Sequence, residues 1–152
     1  GYGDPRDLPS FPTRRASDLV NARTDFTVLA DYCEDLAETL IESDDPRLEK
    51  ALYGRLRSCL SMLEPTLLEP IPAHLIASLT VDVLPENAPR FEPECTELCR
   101  YCLALTNVLE GKEISVDVEK EIRDLLYDLV TFFTAGMKAP RWLRTAEGLT
   151  LL

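Results

Sequence analysis

Three sets of side chains in this 152-residue chain have types and spacings that chemistry can use. The first is acidic. Asp31, Asp35, Glu38 and Glu42 stand at i, i+4, i+7 and i+11, with Glu34 beside them and Asp44 and Asp45 just beyond. On a helix this spacing draws one acidic stripe. Like charges at i and i+4 repel by about 0.2–0.5 kcal/mol per pair, so the stripe does not serve the helix itself. It can keep a face solvated and the chain soluble, or it can steer a basic partner onto that face. Tyr32 and Tyr53 have the aromatic character of interface anchors.

The second set is a carboxylate quartet. Glu94 and Glu97 are three apart, as are Glu121 and Asp124. Two paired antiparallel helices would bring all four together, and four carboxylates in a cleft suit Mg²⁺, which takes oxygen ligands and bridges phosphates. The spacing resembles that of the all-α nucleotide pyrophosphohydrolases, the MazG-like group, whose motif is Glu-x-x-Glu followed, a couple of dozen residues or fewer later, by Glu-x-x-Asp. The segment from Glu121 to Phe132, EIRDLLYDLVTF, is similar to the second half of that motif. The resemblance implies that Glu94, Glu97, Glu121 and Asp124 hold the metal of an enzyme splitting nucleoside triphosphates to monophosphates. The chain departs from the pattern in two ways. Pro93 puts the first pair in a helix's opening turn, where carboxylates serve the helix dipole, and the further basic residues that hold phosphates in the family are missing.

The third set is sulfur and imidazole. Cys95, Cys99 and Cys102 lie at i, i+4 and i+7, so one helix face carries all three, and Cys33, Cys59 or His74 would have to complete a tetrahedral zinc site. No pair has the CxxC turn geometry of a structural site at both ends: Cys99 and Cys102 have the spacing but lie within one helix. The same positions continue an apolar stripe with Leu98 and Leu105, where a free cysteine acts as a small hydrophobe, so core packing is the expected role. His74 is the single histidine. Any Ser-His-Asp or Cys-His arrangement must pass through it, and its sequence neighbours offer no partner. There is neither a GxxxxGK loop nor a GxGxxG turn to cradle phosphate. No catalytic residue, metal or cofactor is assigned.

These residues need helices to hold them. Gly1 to Pro12 reads as an irregular arm. Within it begins LPSFPTRRASDL, Leu8 to Leu19, which resembles the conceptual translation of a sequencing adapter and would put the native start near Val20, so no role is given to Arg14 or Arg15. A first helix is expected from Ser17 to Ser43, its apolar line running through Leu29, Cys33, Leu36 and Leu40. Asp44 or Asp45 caps a second, with Pro46 in its first turn, the stripe Leu48, Leu52, Leu56, Cys59, Leu60 and Leu63, and an end at Pro65. A short helix is expected over 72–79, then an extended linker over 81–90. A fourth helix runs from Pro93 to Leu109, closed by Glu110 and Gly111. Ser115 caps a fifth that reaches Ala135, with Gly136 as its C-cap. Trp142 and Leu143 are expected to fold back on the bundle. The expected fold is all-α: residues 1–16 an irregular arm of non-native origin, and 17–152 one bundle of about five helices with short Pro-rich connections.

Composition narrows the function. Sixteen basic against 27 acidic residues give a net charge of −11. This disfavours a general nucleic-acid binder, since phosphates need neutralising cations. The charge is uneven. Residues 31–50 hold eight acids and two bases, residues 91–128 ten acids and four bases, and residues 129–152 one acid and three bases. No apolar run has membrane-spanning length. Five cysteines, an odd number without a secreted-scaffold pattern, point to a reducing cytoplasm. The expectation is therefore a cytoplasmic, non-catalytic acidic binding protein: an inhibitor, immunity protein, antitoxin or phage-type defence inhibitor. It would engage a basic, nucleic-acid-associated protein through Asp31, Tyr32, Glu34, Asp35, Glu38, Glu42, Asp44 and Asp45, without direct contact to nucleic acid or membrane. The basic end at Lys138, Arg141 and Arg144 offers a contact to a second copy. The magnesium-dependent hydrolase is the alternative.

Overall fold

A computed structural model describes residues 25–152. The chain divides into two compact units, the first ending at Asp82 and the second running from Val83 to Leu152. The described residues are mostly helical, with four α-helices and one small antiparallel β-hairpin. The all-α expectation of about five helices is corrected on both counts.

In the first unit, α1 spans Phe26–Glu42 and α2 spans Pro46–Leu63. The expected start of the first helix at Ser17 lies outside the described residues. The described helix opens at Asp25, whose carboxylate accepts from the amides of Thr27 at 2.9 Å and Val28 at 3.3 Å, satisfying donors that a helix start leaves open. α2 starts as expected: Asp45 accepts from the Arg47 amide at 3.0 Å and Pro46 occupies the first turn. Pro65 ends the α-helix, and the chain tightens into a 3-10 turn over Glu64–Leu68.

Leu36, Leu48, Leu52 and Cys59 form the buried core of this unit, with Tyr32, Cys33, Leu40 and Leu56 packed against it. Burial pushes the thiols of Cys33 and Cys59 up, and for Cys59 the nearby Cys33 adds to the effect. The helix expected over 72–79 is replaced by a 3-10 turn, Ala73–Leu75, followed by turns. Only Leu75 of that turn is buried, so the segment has no apolar face whose packing would hold a longer helix.

In the second unit, α3 spans Cys95–Gly111 and α4 spans Val116–Met137. The start expected at Pro93 is corrected to Cys95, with Glu94 at the cap position. The close expected at Glu110 and Gly111 moves on by one: Gly111 is still helical and Lys112 adopts the left-handed conformation, φ 57°. Ser115 caps α4 as expected, accepting from the Val118 amide at 3.4 Å. That helix runs through Gly136 to Met137, so Gly136 is not its C-cap. An ideal Cβ on Gly136 would lie 4.0 Å from the Cys95 sulfur, and the rings of Phe91 and Phe132 are 6.0 Å apart. The start of α3 thus lies beside the end of α4, and the pair is antiparallel.

The chain closes with β1, Trp142–Thr145, and β2, Gly148–Leu151, paired Trp142 to Leu151 and Thr145 to Gly148. Gly148, at φ 122°, supplies a conformation that side chains resist, and the Thr145 hydroxyl donates to its carbonyl at 3.0 Å. Trp142 and Leu143 therefore do not fold back as expected: both strands are exposed along their length. No helix among the described residues is long and apolar enough to cross a membrane.

Candidate functional site

The geometry of α1 sorts its residues into two faces. Leu29 and Leu36 are buried, and Cys33 and Leu40 beside them are partly buried. Asp31, Glu34, Asp35, Glu38 and Glu42 fall on the other side of the helix and are all exposed. Among the described residues none of these five carboxylates forms an ion pair; the four ion pairs there involve His74 with Asp25, Arg90 with Glu92, and Glu119 with both Lys112 and Arg123. The acidic row is therefore a continuous line of charge about 17 Å long.

The remaining expected site residues divide. Asp44 is exposed and extends the row past the end of α1. Asp45 is half-buried, with one oxygen committed to capping α2. Tyr32 is half-buried and packs against the core of the first unit, which fixes its place beside the acidic row. Tyr53 is exposed and, with Leu56, Arg57, Leu60, Ser61 and Glu64, lines a shallow groove on α2.

The carboxylate quartet behaves differently. Glu94, Glu121 and Asp124 are exposed, and Glu97 is half-buried and accepts from the Tyr101 hydroxyl at 3.3 Å. Among the described residues no three His, Cys, Asp or Glu side chains stand close enough to hold a metal ion. The two pairs lie on paired helices, as the spacing requires, yet they do not form a cluster. The cysteine expectation is corrected. Cys95 and Cys99 are exposed and Cys102 is half-buried. α3 packs on one helix, and the line covered by it runs through Leu98, Cys102, Leu105 and Leu109. Cys95 and Cys99 flank that line.

Three polar features escaped the sequence reading. His74 Nε2 lies 3.2 Å from Asp25 Oδ2, so the lone histidine braces the start of α1. The Asp25 carboxyl is held below its ordinary range, chiefly by the Thr27 hydroxyl, with His74 and the Val28 and Thr27 amides adding to the effect against partial desolvation. Arg55 stands on the core-facing line of α2, between Leu52 and Cys59, and one of its guanidinium nitrogens is buried without a hydrogen-bond partner. Glu119 stands at the turn end of the α3–α4 seam. Lys112 Nζ bonds it at 3.0 Å and Arg123 at 3.3 Å, and both cations, Lys112 foremost, hold its carboxyl low. The only cue to His74 was its position after Pro72. Arg55 and Glu119 sit at apolar-stripe spacing and were legible as exceptions to it.

Comparison of the chain with protein-family models, with curated proteins and with solved structures finds no match.

Proposed function

We propose that this chain is a non-catalytic acidic binding protein, of the inhibitor, immunity-protein or antitoxin kind, that engages a basic protein surface through α1. The observation that carries this reading is the acidic row from Asp31 to Glu42, exposed, without an ion pair among the described residues and set opposite the buried line of its own helix. A helix gains nothing internally from such a row. A basic partner gains a faster and more selective encounter. Tyr32 beside the row and Tyr53 on α2 provide aromatic contact area of the kind that dominates interfaces. We place the protein in the cytoplasm, in keeping with five free thiols.

The test is affinity capture from the native host with the wild-type chain and with a triple variant, Asp31→Asn, Asp35→Asn and Glu38→Gln. A partner with a basic surface should be retained by the wild type, released by moderate salt, and lost or weakened about tenfold or more with the variant. Equal capture by both forms would remove α1 from the interaction. Magnesium-dependent release of pyrophosphate from a nucleotide panel, abolished by Glu121→Ala, would replace this reading with the hydrolase.

A further inference from the structure

The second unit carries two apolar surfaces that no residue of that unit covers. One lies along a side of the α3–α4 pair. Tyr101 and Val108 of α3 and Val118, Leu125 and Phe132 of α4 each directly precede a seam position, and in an antiparallel pair such positions share one side. They are evenly half-covered, between 44% and 48% exposed. Glu97, Glu121 and Asp128 precede the alternate seam positions and border this strip, so its rim is acidic.

The other surface is the β1–β2 hairpin. Trp142, Leu143, Leu149 and Leu151 are all more than half exposed, Trp142 at 59%. A two-stranded hairpin is marginal in water on its own. Lys138, Arg141 and Arg144 make this end basic; Arg141 donates to the Met137 carbonyl at 3.2 Å, and none of the three forms an ion pair among the described residues.

We propose that a second copy of this chain covers both surfaces, each copy laying its basic β1–β2 hairpin on the acid-rimmed α3–α4 strip of the other. Three arguments select this occupant. The charges are complementary, apolar strip with acidic rim against apolar hairpin with basic flank. A two-fold exchange makes each contact twice and leaves neither surface open. The area is also sufficient in kind. The exposed parts of Phe91, Tyr101, Phe132 and Trp142 amount to roughly 100 Å² each. Over two copies these aromatics supply about 800 Å² of the about 1,200 Å² at the low end for stable interfaces, and the exposed parts of Leu125, Leu143, Leu149 and Leu151 are there to supply the rest. Strip against strip would instead set acidic rim against acidic rim. The proposal does not use α1 and stands apart from the binding function above.

Trp142 is the only tryptophan of the chain and reports on the contact directly. As the purified wild-type chain is concentrated through the micromolar range, sedimentation should show monomer passing to dimer, and the Trp142 emission should shift to shorter wavelength over the same range. The double reversal Arg141→Glu with Arg144→Glu should weaken the dimer about tenfold or more, as should Glu121→Lys with Asp128→Lys. Combining both sets should restore it. All four side chains are exposed, and circular dichroism checks that each variant keeps its helices. The proposal is overturned by a chain that stays monomeric, by dimerisation without a Trp142 shift, or by blue-shifted emission at every dilution, which would mean that the hairpin covers its own chain. Reversals without effect, or a combined variant that fails to recover, would overturn it too.

Discussion

The helix pairs α1–α2 and α3–α4 are built to similar lengths and carry the same acidic device, but they cover their apolar residues differently. In α1 the acids at 31, 35, 38 and 42 stand opposite the buried line. In α4 Asp117, Glu121, Asp124 and Asp128 repeat the same i, i+4, i+7, i+11 spacing, yet they adjoin an apolar line at Val118, Leu125 and Phe132 that remains half exposed. Among the described residues the first unit buries Leu29, Leu36, Leu48, Leu52, Cys59 and Leu75, and the second buries only Leu98. The same charge pattern is thus a solvated outer face in one pair and the rim of an uncovered surface in the other. Acidity alone does not say which; the width of the apolar face beside it does.

The most severe way to probe this contrast is to remove a side chain from each pair. Leu52→Ala should destabilise the first unit by about 2–5 kcal/mol, because Leu52 has no exposed surface and its loss leaves a cavity. Leu125→Ala, at a dilution where chains are single, should cost less than about 1 kcal/mol, since half of that side chain already meets water. Urea denaturation followed by circular dichroism measures both. Equal losses would mean that the α4 line is covered after all.

The next change sharpens the first unit alone. Arg55 interrupts the core-facing line of α2 and leaves a buried N–H unsatisfied. Arg55→Met keeps the stem's packing and removes the orphaned donor, so stability should rise by about 1–3 kcal/mol. A loss of that size would instead show that the guanidinium has a partner and belongs to an interaction surface.

Where a helix carries its own start signal, the sequence was readable. Asp45 before Pro46, and Ser115 before Val116, each hold a cap and a first turn within a few residues, and both helices begin there. The line of Leu48, Leu52 and Cys59 was readable from its period. Period tells which side of a helix is apolar, not how many neighbours arrive to cover it, and so Cys95 and Cys99 were placed in a core that α3 does not have. The hairpin was missed because four residues are too few to show a two-residue period against a helical one. At the candidate site the exposure of Asp31 to Glu42 followed from spacing alone. The separation of Glu94 and Glu97 from Glu121 and Asp124 depends on how two helices are set against each other, which no single helix encodes.

Acid should unsettle both pairs at defined points. The carboxyls of Asp25 and Glu119 have folded-state pKa values below their unfolded ones. Their stabilisation is therefore complete above the ordinary carboxylate range, about pH 5, and disappears as pH falls through the lowered folded values. Asp25→Asn keeps a good N-cap but cannot ionise. At neutral pH it should melt lower than wild type, and the gap should close in acid. Glu119→Gln should do the same through the α3–α4 turn. A gap that persists in acid would assign the loss to geometry and not to charge.

The smallest expected effect separates the two acidic rows most directly. Glu38→Gln in α1 removes a like charge from beside Glu34, Asp35 and Glu42, and Glu121→Gln in α4 removes one from beside Asp117 and Asp124. Gln and Glu have nearly equal helix propensity, so each substitution should stabilise the single chain by about 0.2–0.5 kcal/mol for every pair relieved. On concentration the two should part. Glu38→Gln should leave self-association unchanged, because α1 faces no hairpin in the proposed dimer. Glu121→Gln should weaken it, because the rim it belongs to meets Arg141 and Arg144 of the second copy. Melting in dilute and concentrated solution reads both signs in one experiment. If Glu121→Gln gained stability at every concentration, the α4 row would be a solvated face like that of α1, and the contrast between the pairs would reduce to how well each is packed.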